Sequence, residues 1–300
     1  MRRLGFLSLV AVAVAVAIAS SAGAFGGFDF GLWRDAQLRI FARHLYGVDK
    51  PLQESSHDSV DQGTAEADPR TLATVAKGLH VHVATSASNA GTNLDMIALW
   101  PDSWHPTHLI VCNETDDAIL PGVQRIRLSD GEVQTILSGT LDCDPVRRTA
   151  WGTILVGEEN GTEGQLIEII RPLQTTDVTF DHTTGLASGG TGSANVVSRR
   201  ALGRLSFEGL GLYPNGVLYY GDEQRPGTGT AGGAYFKFIP TTPWAGGSIT
   251  NLSQSPLVAG SMACVSASAA GTPTTARAPR PASESGCPSP RPWIPPSART

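Results

Sequence analysis

Two adjacent glutamates, Glu158 and Glu159, follow a short apolar strand and are the residues best suited to bind a cation. The strand is predicted over residues 151–156, a β-branched run that is closed by Gly157. Because successive side chains of a strand point to opposite sides, one carboxylate should face inward and the other outward. Two carboxylates this close repel each other unless a cation or a proton neutralises them. The pair therefore predicts a cation site at this end of the strand.

Cys143 precedes the strand and offers a thiolate, which favours a softer metal than calcium or magnesium. Arg147 and Arg148 lie in the predicted loop between Cys143 and the strand, where a guanidinium is able to bind a phosphate through two hydrogen bonds. Loop arginines are also commonly only solvated. Cys112 ends a neighbouring predicted strand, so a disulfide between Cys112 and Cys143 is the competing interpretation of this cysteine.

Strands that end in acidic residues recur along the chain and carry the argument for the fold. Glu114, Glu159 and Glu223 each follow an apolar strand, with a polar loop and a glycine-led strand behind them. The 45 positions from Glu114 to Glu159 match one four-stranded propeller blade. The 64 positions from Glu159 to Glu223 require an insertion, for which the glycine-rich residues 185–195 are the natural place.

A propeller would bring these acidic residues together, because equivalent positions of successive blades lie around one axis. Glu158, Glu159, Asp222 and Glu223 are then expected to form an oxygen-rich cation site at one mouth of the channel. The competing interpretation is that acidic residues only solubilise the loops, and for Glu114 alone that interpretation is favoured.

The stretch from Cys143 to Glu159 resembles the PhoX-type alkaline phosphatases, a family of secreted, six-bladed β-propeller enzymes. The resemblance rests on the cysteine, a short loop, Trp-Gly-Thr at residues 151–153, an apolar strand and the paired glutamates. Residues 204–208 and 213–223 resemble two later elements of the family. One departure is Ala150, where the family usually has proline before Trp-Gly-Thr. The resemblance covers roughly residues 28–262.

This resemblance implies metal-dependent hydrolysis of small phosphate monoesters by a mixed cluster of iron and calcium. The metals of such a cluster position the phosphoryl group and stabilise charge on its oxygens. The resemblance implies that Glu208 is a metal ligand and that Asp222 and Glu223 help to bind calcium. The expected catalytic residues are Cys143, Glu158 and Glu208. The expected metal ligands are Cys143, Glu158, Glu159, Glu208, Asp222 and Glu223, with Arg147 and Arg148 as candidate phosphate-binding residues.

Two other functions stay open. One is a calcium-stabilised binding propeller without catalysis, in which the acidic rim holds a structural ion. The other is a calcium-dependent propeller lactonase or organophosphate hydrolase, against which Cys143 argues mildly because calcium does not need a thiolate. The net charge of −5 argues against nucleic acid as a partner, and we expect a monomer.

The composition favours an all-β protein, because only 16% of residues are charged and the chain contains 34 Gly and 20 Pro. Residues 1–24 are predicted to be a signal peptide, with Arg2 and Arg3 before an apolar run and small residues at 22–24. The paired arginines loosely resemble a twin-arginine signal. The apolar run is short for a membrane span. Export to the periplasm or the extracellular medium, without a membrane anchor, is therefore expected.

Residues 25–262 are expected to form the propeller, with residues 25–78 as a leading segment. Residues 263–300 are rich in Ala, Ser, Pro, Thr and Arg and are expected to be a disordered tail. The abrupt change near Ala263 raises the hypothesis of a shifted reading frame. Because residues 25–262 are too few for six blades of about 40–45 residues each, an incomplete ring is expected, with its activity in question.

Overall fold

The computed structural model describes residues 29–49, 59–86, 89–225 and 233–265. The predicted signal peptide and residues 266–300 of the predicted tail lie outside the described residues. The chain divides into two compact units, residues 1–83 and 84–300. None of the helices in the described part of the chain combines the length and the hydropathy needed to cross a membrane.

The described residues of the first unit form two α-helices, α1 (Phe30–Tyr46) and α2 (Gln62–Ala67), and a short 3₁₀ helix (Pro69–Leu72). The Asp29 side chain caps α1 by accepting a hydrogen bond from the backbone N–H of Leu32 at 3.0 Å. Gly47 ends α1 in the left-handed conformation, with φ 70°. Both ends of α1 are thus defined by local sequence.

The second unit consists mainly of strands. They are β1 (Leu94–Trp100), β2 (His108–Asn113), β3 (Pro121–Arg127), β4 (Val133–Ser138), β5 (Cys143–Arg148), β6 (Thr153–Glu158), β7 (Leu166–Ile170), β8 (Val178–Asp181), β9 (Leu186–Ser188), β10 (Val196–Ser198), β11 (Phe207–Leu212), β12 (Leu218–Asp222), β13 (Tyr235–Pro240) and β14 (Gly260–Val265). Short 3₁₀ helices span Pro172–Gln174, Ser193–Asn195, Arg200–Leu202, Leu252–Gln254 and Pro256–Val258.

These strands form three sheets, with the orders β1-β2-β3-β4-β8-β9, β10-β7-β6-β5 and β11-β12-β13-β14. Pairing is antiparallel throughout, except that β4 and β8 are parallel. The prediction of an all-β architecture is confirmed for this unit. Within the described residues the strands close no ring, and six blades are not confirmed. The β8–β9 hairpin adds to the first sheet and accounts for extra residues between β7 and β10. Strand β14 continues three residues past the predicted boundary at residue 262.

Strand β6 lies between two hydrophobic cores, which explains its continuous apolar sequence. Ile154 and Val156 belong to the core shared with the first sheet, whereas Leu155 belongs to the core shared with the third sheet. Alternate side chains of a strand point to opposite faces, so both faces must be apolar when both are covered. All six residues of β6, including Glu158 at its end, are buried.

The Trp-Gly-Thr motif lies in a buried hydrogen-bond network around Glu168 on β7. The indole Nε1 of Trp151 donates to Glu168 Oε1 at 2.7 Å, and the Thr153 hydroxyl donates to the same oxygen at 2.6 Å. Arg199 Nε and Ser255 Oγ donate to Glu168 Oε2 at 2.5 and 2.8 Å. Glu168 is fully buried. In this structure the motif therefore anchors the β5–β6 hairpin to its sheet.

Candidate metal centre

In each sheet, the two strands that come first in the chain pair in the same way at one corner. These strand pairs are β1 with β2, β5 with β6, and β11 with β12. The paired residues are Leu94 with Asn113, Cys143 with Glu158, and Phe207 with Asp222. The residue after each second strand donates its backbone N–H to the residue before the first strand, namely Glu114 to Asn93 at 2.9 Å, Glu159 to Asp142 at 2.7 Å and Glu223 to Ser206 at 3.0 Å. The three corners are therefore equivalent positions of a structural repeat.

Each of these corners carries a carboxylate at two equivalent positions of the repeat. One lies on the second residue of the first strand, and the other on the residue after the second strand. The first set is Asp95, Asp144 and Glu208, and the second set is Glu114, Glu159 and Glu223. Strands β1 and β11 both contact β5, so the middle corner lies next to the other two.

Asp144, Glu159 and Glu208 come closest together and are called the carboxylate cluster below. Each provides a carboxylate oxygen, and these oxygens lie within 4.8 Å of one another. The Asp144 side chain is buried, with 3% of the residue exposed, and its Oδ1 accepts no hydrogen bond from any described residue. A buried carboxylate oxygen that no donor approaches is costly unless a proton or a cation neutralises the group. The cluster therefore has the chemistry of a cation site.

The pKa values of Asp144 and Glu159 are both raised. Burial raises the pKa of Asp144 to about 9, and the nearby carboxylates of Glu208 and Asp95 add to the shift. Burial raises the pKa of Glu159 to about 7, with further contributions from Glu223, Glu114 and Glu208. Without a cation, the cluster therefore retains protons at neutral pH.

Gly157 on β6 allows the second and third sheets to approach each other beside the cluster. A Cβ at this position would lie 2.7 Å from Pro145 Cγ and 2.8 Å from Phe207 Cβ. Pro145 follows Asp144 on β5, and Phe207 precedes Glu208 on β11. A larger residue at position 157 would separate these strands, so the glycine permits the approach of Glu208 to Glu159.

Glu158 and Glu159 contact different groups of residues, and Glu158 does not join the cluster. Its carboxylate accepts hydrogen bonds from the backbone N–H groups of Leu141 and Gln165 at 2.9 and 3.0 Å. His182 Nδ1 lies 3.0 Å from both of its oxygens, and the pKa of His182 is raised mainly by this hydrogen bond. Glu158 therefore forms a salt bridge with His182 and lies apart from the carboxylate cluster, and its role as a metal ligand stays a prediction.

Cys143 forms a disulfide with Cys112, with 5.1 Å between the two Cα atoms. The competing interpretation of the sequence is thus the one found in the structure. A sulfur in a disulfide is not a thiolate, so the prediction of Cys143 as a thiolate ligand is corrected. The disulfide links β2 to β5 directly beside Asp144, and it therefore helps to hold β5 in place at the cluster.

The disulfide leads to a prediction about stability. Replacing Cys112 or Cys143 with serine is expected to lower the free energy of unfolding equally, because either change removes the same link between residues 31 positions apart. Loop-closure entropy gives a loss of about 3–4 kcal/mol for a loop of this size. Urea unfolding of both variants, with the oxidised wild-type protein as the reference, measures the loss, and reduced wild-type protein should show the same loss. A loss for Cys143→Ser alone, accompanied by release of metal, would indicate a thiolate ligand instead.

Asp222 and Glu223 have different roles in the structure. The Asp222 carboxylate accepts hydrogen bonds from the backbone N–H groups of Ser206 and Gln224 at 3.2 and 3.3 Å, so it stabilises the turn at its corner. Glu223 lies against Glu159 and pairs with Arg225 at 2.7 Å. The contact with Glu159 and the pairing with Arg225 lower the pKa of Glu223. Only Glu223 of this pair thus borders the cluster.

Arg147 and Arg148, the candidate phosphate-binding residues, lie toward the end of β5 that is remote from Asp144. Arg147 Nε donates to the backbone carbonyl of Leu210 at 2.9 Å. The charge of Arg148 contributes to lowering the pKa of Asp102, in the loop after β1. The structure therefore does not bring either arginine to the carboxylate cluster.

Asp95 and Asp144 are members of the repeat that the sequence patterns did not identify. A signal was nevertheless present: an acidic residue stands 15 positions before Glu159 and 15 before Glu223, and 19 before Glu114. Each of these spacings covers one strand, one turn and the next strand. The first-strand acidic residues were thus recoverable from the same repeat that identified the second-strand ones.

Comparison with known proteins adds no relative, since no protein-family model matches the chain and no curated protein or solved structure matches it. The fold and the site together define an all-β protein with three equivalent acidic corners, two of which contribute to a carboxylate cluster around the buried Asp144.

The raised pKa values lead to a prediction about pH. Asp144 and Glu159 titrate above their ordinary values in the folded protein, so their contribution to stability is fully present below about pH 4 and is lost as the pH rises toward about 9. In the presence of a chelator, the melting temperature is therefore expected to fall between pH 5 and pH 9. Calcium should reverse the fall, because a ligand bound only by the folded state at 100 times its Kd adds about 2.7 kcal/mol. A melting temperature that is insensitive to pH and to calcium would contradict the prediction.

Proposed function

We propose that this protein hydrolyses phosphate monoesters at the carboxylate cluster, with calcium bound by Asp144, Glu159 and Glu208. The observation that carries the proposal is the buried, unpartnered Oδ1 of Asp144 within 4.8 Å of two further carboxylates. The reaction class comes from the resemblance of residues 143–159 to the PhoX-type phosphatases. Acidic residues recur at equivalent corners, and this repeat favours a cation site over the alternative that the acidic residues only solubilise the loops.

The proposal includes a finer description of the fold, in which the three sheets are consecutive propeller blades. Strands β1, β5 and β11 each open a four-stranded antiparallel unit, and β5 contacts both of the others. In a propeller such first strands line the central channel. Their second residues, Asp95, Asp144 and Glu208, then face one mouth of that channel.

The ligands present fit calcium and do not fit iron bound through a thiolate. Carboxylate oxygens are hard ligands, and calcium takes six to eight oxygens at about 2.3–2.6 Å. The unpartnered Oδ1 of Asp144 is one such oxygen. The only sulfur predicted for the site is held in the disulfide with Cys112. We therefore assign no step of the reaction to iron.

Bound calcium would supply positive charge to orient the phosphoryl group and to stabilise its oxygens. Asp144, Glu159 and Glu208 hold the cation. Arg225, paired with Glu223 at the edge of the cluster, offers a positive charge that would attract a phosphate.

A calcium-stabilised binding protein without catalysis is the second candidate function. It is favoured by one specific observation, the position of Arg147 and Arg148 away from the cluster, because the predicted phosphate-binding groups are then missing from it. The disulfide also removes the thiolate argument against a calcium-dependent lactonase. The test must therefore separate three functions: hydrolysis of phosphate monoesters, calcium-stabilised binding without catalysis, and hydrolysis of lactones or organophosphates.

The test is hydrolysis of phenyl phosphate by the purified protein in calcium and in chelator, with a lactone and an organophosphate triester as parallel substrates. The proposal expects release of phosphate in calcium and its loss in chelator. Calcium binding without turnover of any substrate would favour the binding protein. Turnover of the lactone or the triester alone would favour the other hydrolase.

A further inference from the structure

The outer face of the third sheet carries aromatic side chains on the same side as Glu208. Glu208 on β11 pairs with Gly221 on β12, and Gly221 pairs with Tyr235 on β13. Directly paired residues of antiparallel strands share a face of the sheet. The face that holds a member of the carboxylate cluster therefore also holds Tyr235.

Two more tyrosines and a lysine continue this face. Gly211 pairs with Tyr219, which in turn pairs with Lys237. The ring centroids of Tyr213 and Tyr219 lie 5.8 Å apart, and those of Tyr219 and Tyr235 lie 6.2 Å apart with an angle of 24° between the rings. Lys237 Nζ lies 5.4 Å from the centroid of the Tyr219 ring. We call Tyr213, Tyr219, Tyr235 and Lys237 the tyrosine face.

The tyrosine face is partly exposed and reaches strand β11. Tyr213 and Tyr235 are 57% and 50% exposed, although tyrosine is a residue that usually buries much of its ring. The Oη of Tyr235 lies 4.0 Å from the position that a Cβ on Gly211 would occupy, so this ring reaches from β13 across β12 to β11. The absence of side chains at Gly211 and Gly221 leaves room for it. The ring of Tyr235 thus reaches the strand that carries Glu208.

The distance between Glu208 and Tyr235 matches the size of a small substrate. Glu208 and Tyr235 are two strands apart, so their Cα atoms are about 10 Å from each other. A phosphoryl group at the cluster and an aromatic leaving group on the tyrosine face would span this distance. Aromatic rings pack favourably against one another in offset or tilted geometry. Lys237 adds a positive charge that suits a second anionic substituent on the leaving group.

We infer that the tyrosine face is the leaving-group subsite of the same centre and that it selects aryl phosphate monoesters over alkyl ones. This inference rests on the proposed function for the position of the phosphate. Because the tyrosine face and Glu208 share one side of the sheet, the group expected on the face is the aromatic leaving group of that substrate. A nucleic acid fits less well, because one lysine on a chain with a net charge of −5 supplies no basic stripe for a phosphate backbone. Cross-strand tyrosines over glycines also stabilise a sheet, so the test must separate selectivity from folding.

The experiment measures the binding of two non-hydrolysable probes, 1-naphthylphosphonate and ethylphosphonate, to the full-length protein in calcium by calorimetry. The wild type is expected to bind the aryl probe at least about tenfold more tightly, since stacking on an aromatic side chain is worth about that much or more. Tyr235→Leu, and independently Tyr219→Leu, should reduce this ratio to near one. Trp104→Leu is the control, because Trp104 is 87% exposed and lies in the loop after β1. Circular dichroism confirms that each variant is folded.

The outcomes separate this inference from the proposed function. An aryl preference that disappears in both tyrosine variants supports the subsite, even if no phosphate ester is hydrolysed. Equal binding of the two probes to the wild type, no binding of either, or a preference that survives both substitutions would overturn it. Hydrolysis of phenyl phosphate and ethyl phosphate with equal efficiency would retain the proposed function and remove the subsite.

Discussion

Replacing Asp144 with asparagine is expected to abolish calcium binding and to lower the rate of phosphate release by about 10²–10³-fold. The amide keeps the size of the side chain but removes the charge from the most buried member of the carboxylate cluster. Loss of one preorganised electrostatic group in an active site typically has an effect of this size. The same change should raise the melting temperature of the calcium-free protein at pH 8, because it removes a carboxylate whose ionisation burial opposes.

Asp130→Asn is the matched control for this variant. Asp130 lies in the exposed turn between β3 and β4 and pairs with Arg127 on the surface, away from the cluster. Its substitution should leave both calcium binding and the calcium-free melting temperature nearly unchanged. If Asp144→Asn bound calcium as tightly as the wild type, or if it destabilised the calcium-free protein, Asp144 would be a structural carboxylate and not a cation ligand.

Replacing Glu168 with glutamine is expected to lower the free energy of unfolding by about 3–5 kcal/mol. Glu168 accepts hydrogen bonds from Trp151, Thr153, Arg199 and Ser255 inside the protein. Arg199 is only 6% exposed, so the neutral amide would leave a buried guanidinium without its countercharge. Removing one partner of a buried ion pair has a cost of this size. The amide must also direct N–H groups toward at least one of the present donors.

Urea unfolding measures this loss, and Glu132→Gln is its control because Glu132 pairs with Arg127 at the exposed surface. An exposed pair of this kind contributes about 0–1 kcal/mol. The prediction fails if Glu168→Gln unfolds at the same urea concentration as the wild type but loses calcium. That result would move the Trp-Gly-Thr motif from a structural role to a role in the cation site.

The part of the site that sequence predicted best is the part that depends on a local repeat. Strands that end in an acidic residue identified Glu114, Glu159 and Glu223, and the structure places these three at equivalent corners with the same backbone hydrogen bond. The all-β architecture followed from composition and from these short strands. Asp144 was not recognised because it begins a strand and precedes Pro145, so it does not belong to a strand-end pattern.

The roles of Glu158 and Cys143 depended on partners distant in sequence. Alternation along β6 predicts that one of two adjacent glutamates faces each side, but it does not determine which side holds His182. That histidine comes 24 positions later, on the β8–β9 turn, and only the folded chain brings it to Glu158. A disulfide likewise requires a suitable Cα separation, which spacing along the chain does not provide.

The most direct test of the central claim is a crystal structure of the protein grown above pH 8 with calcium and inorganic phosphate. The account predicts a calcium ion about 2.3–2.6 Å from carboxylate oxygens of Asp144, Glu159 and Glu208, with a phosphate oxygen completing its ligands. Calcium bound at other residues would contradict it. A cluster without an ion, in which the carboxyl groups hydrogen-bond to one another although calcium is present in the crystal, would also contradict it.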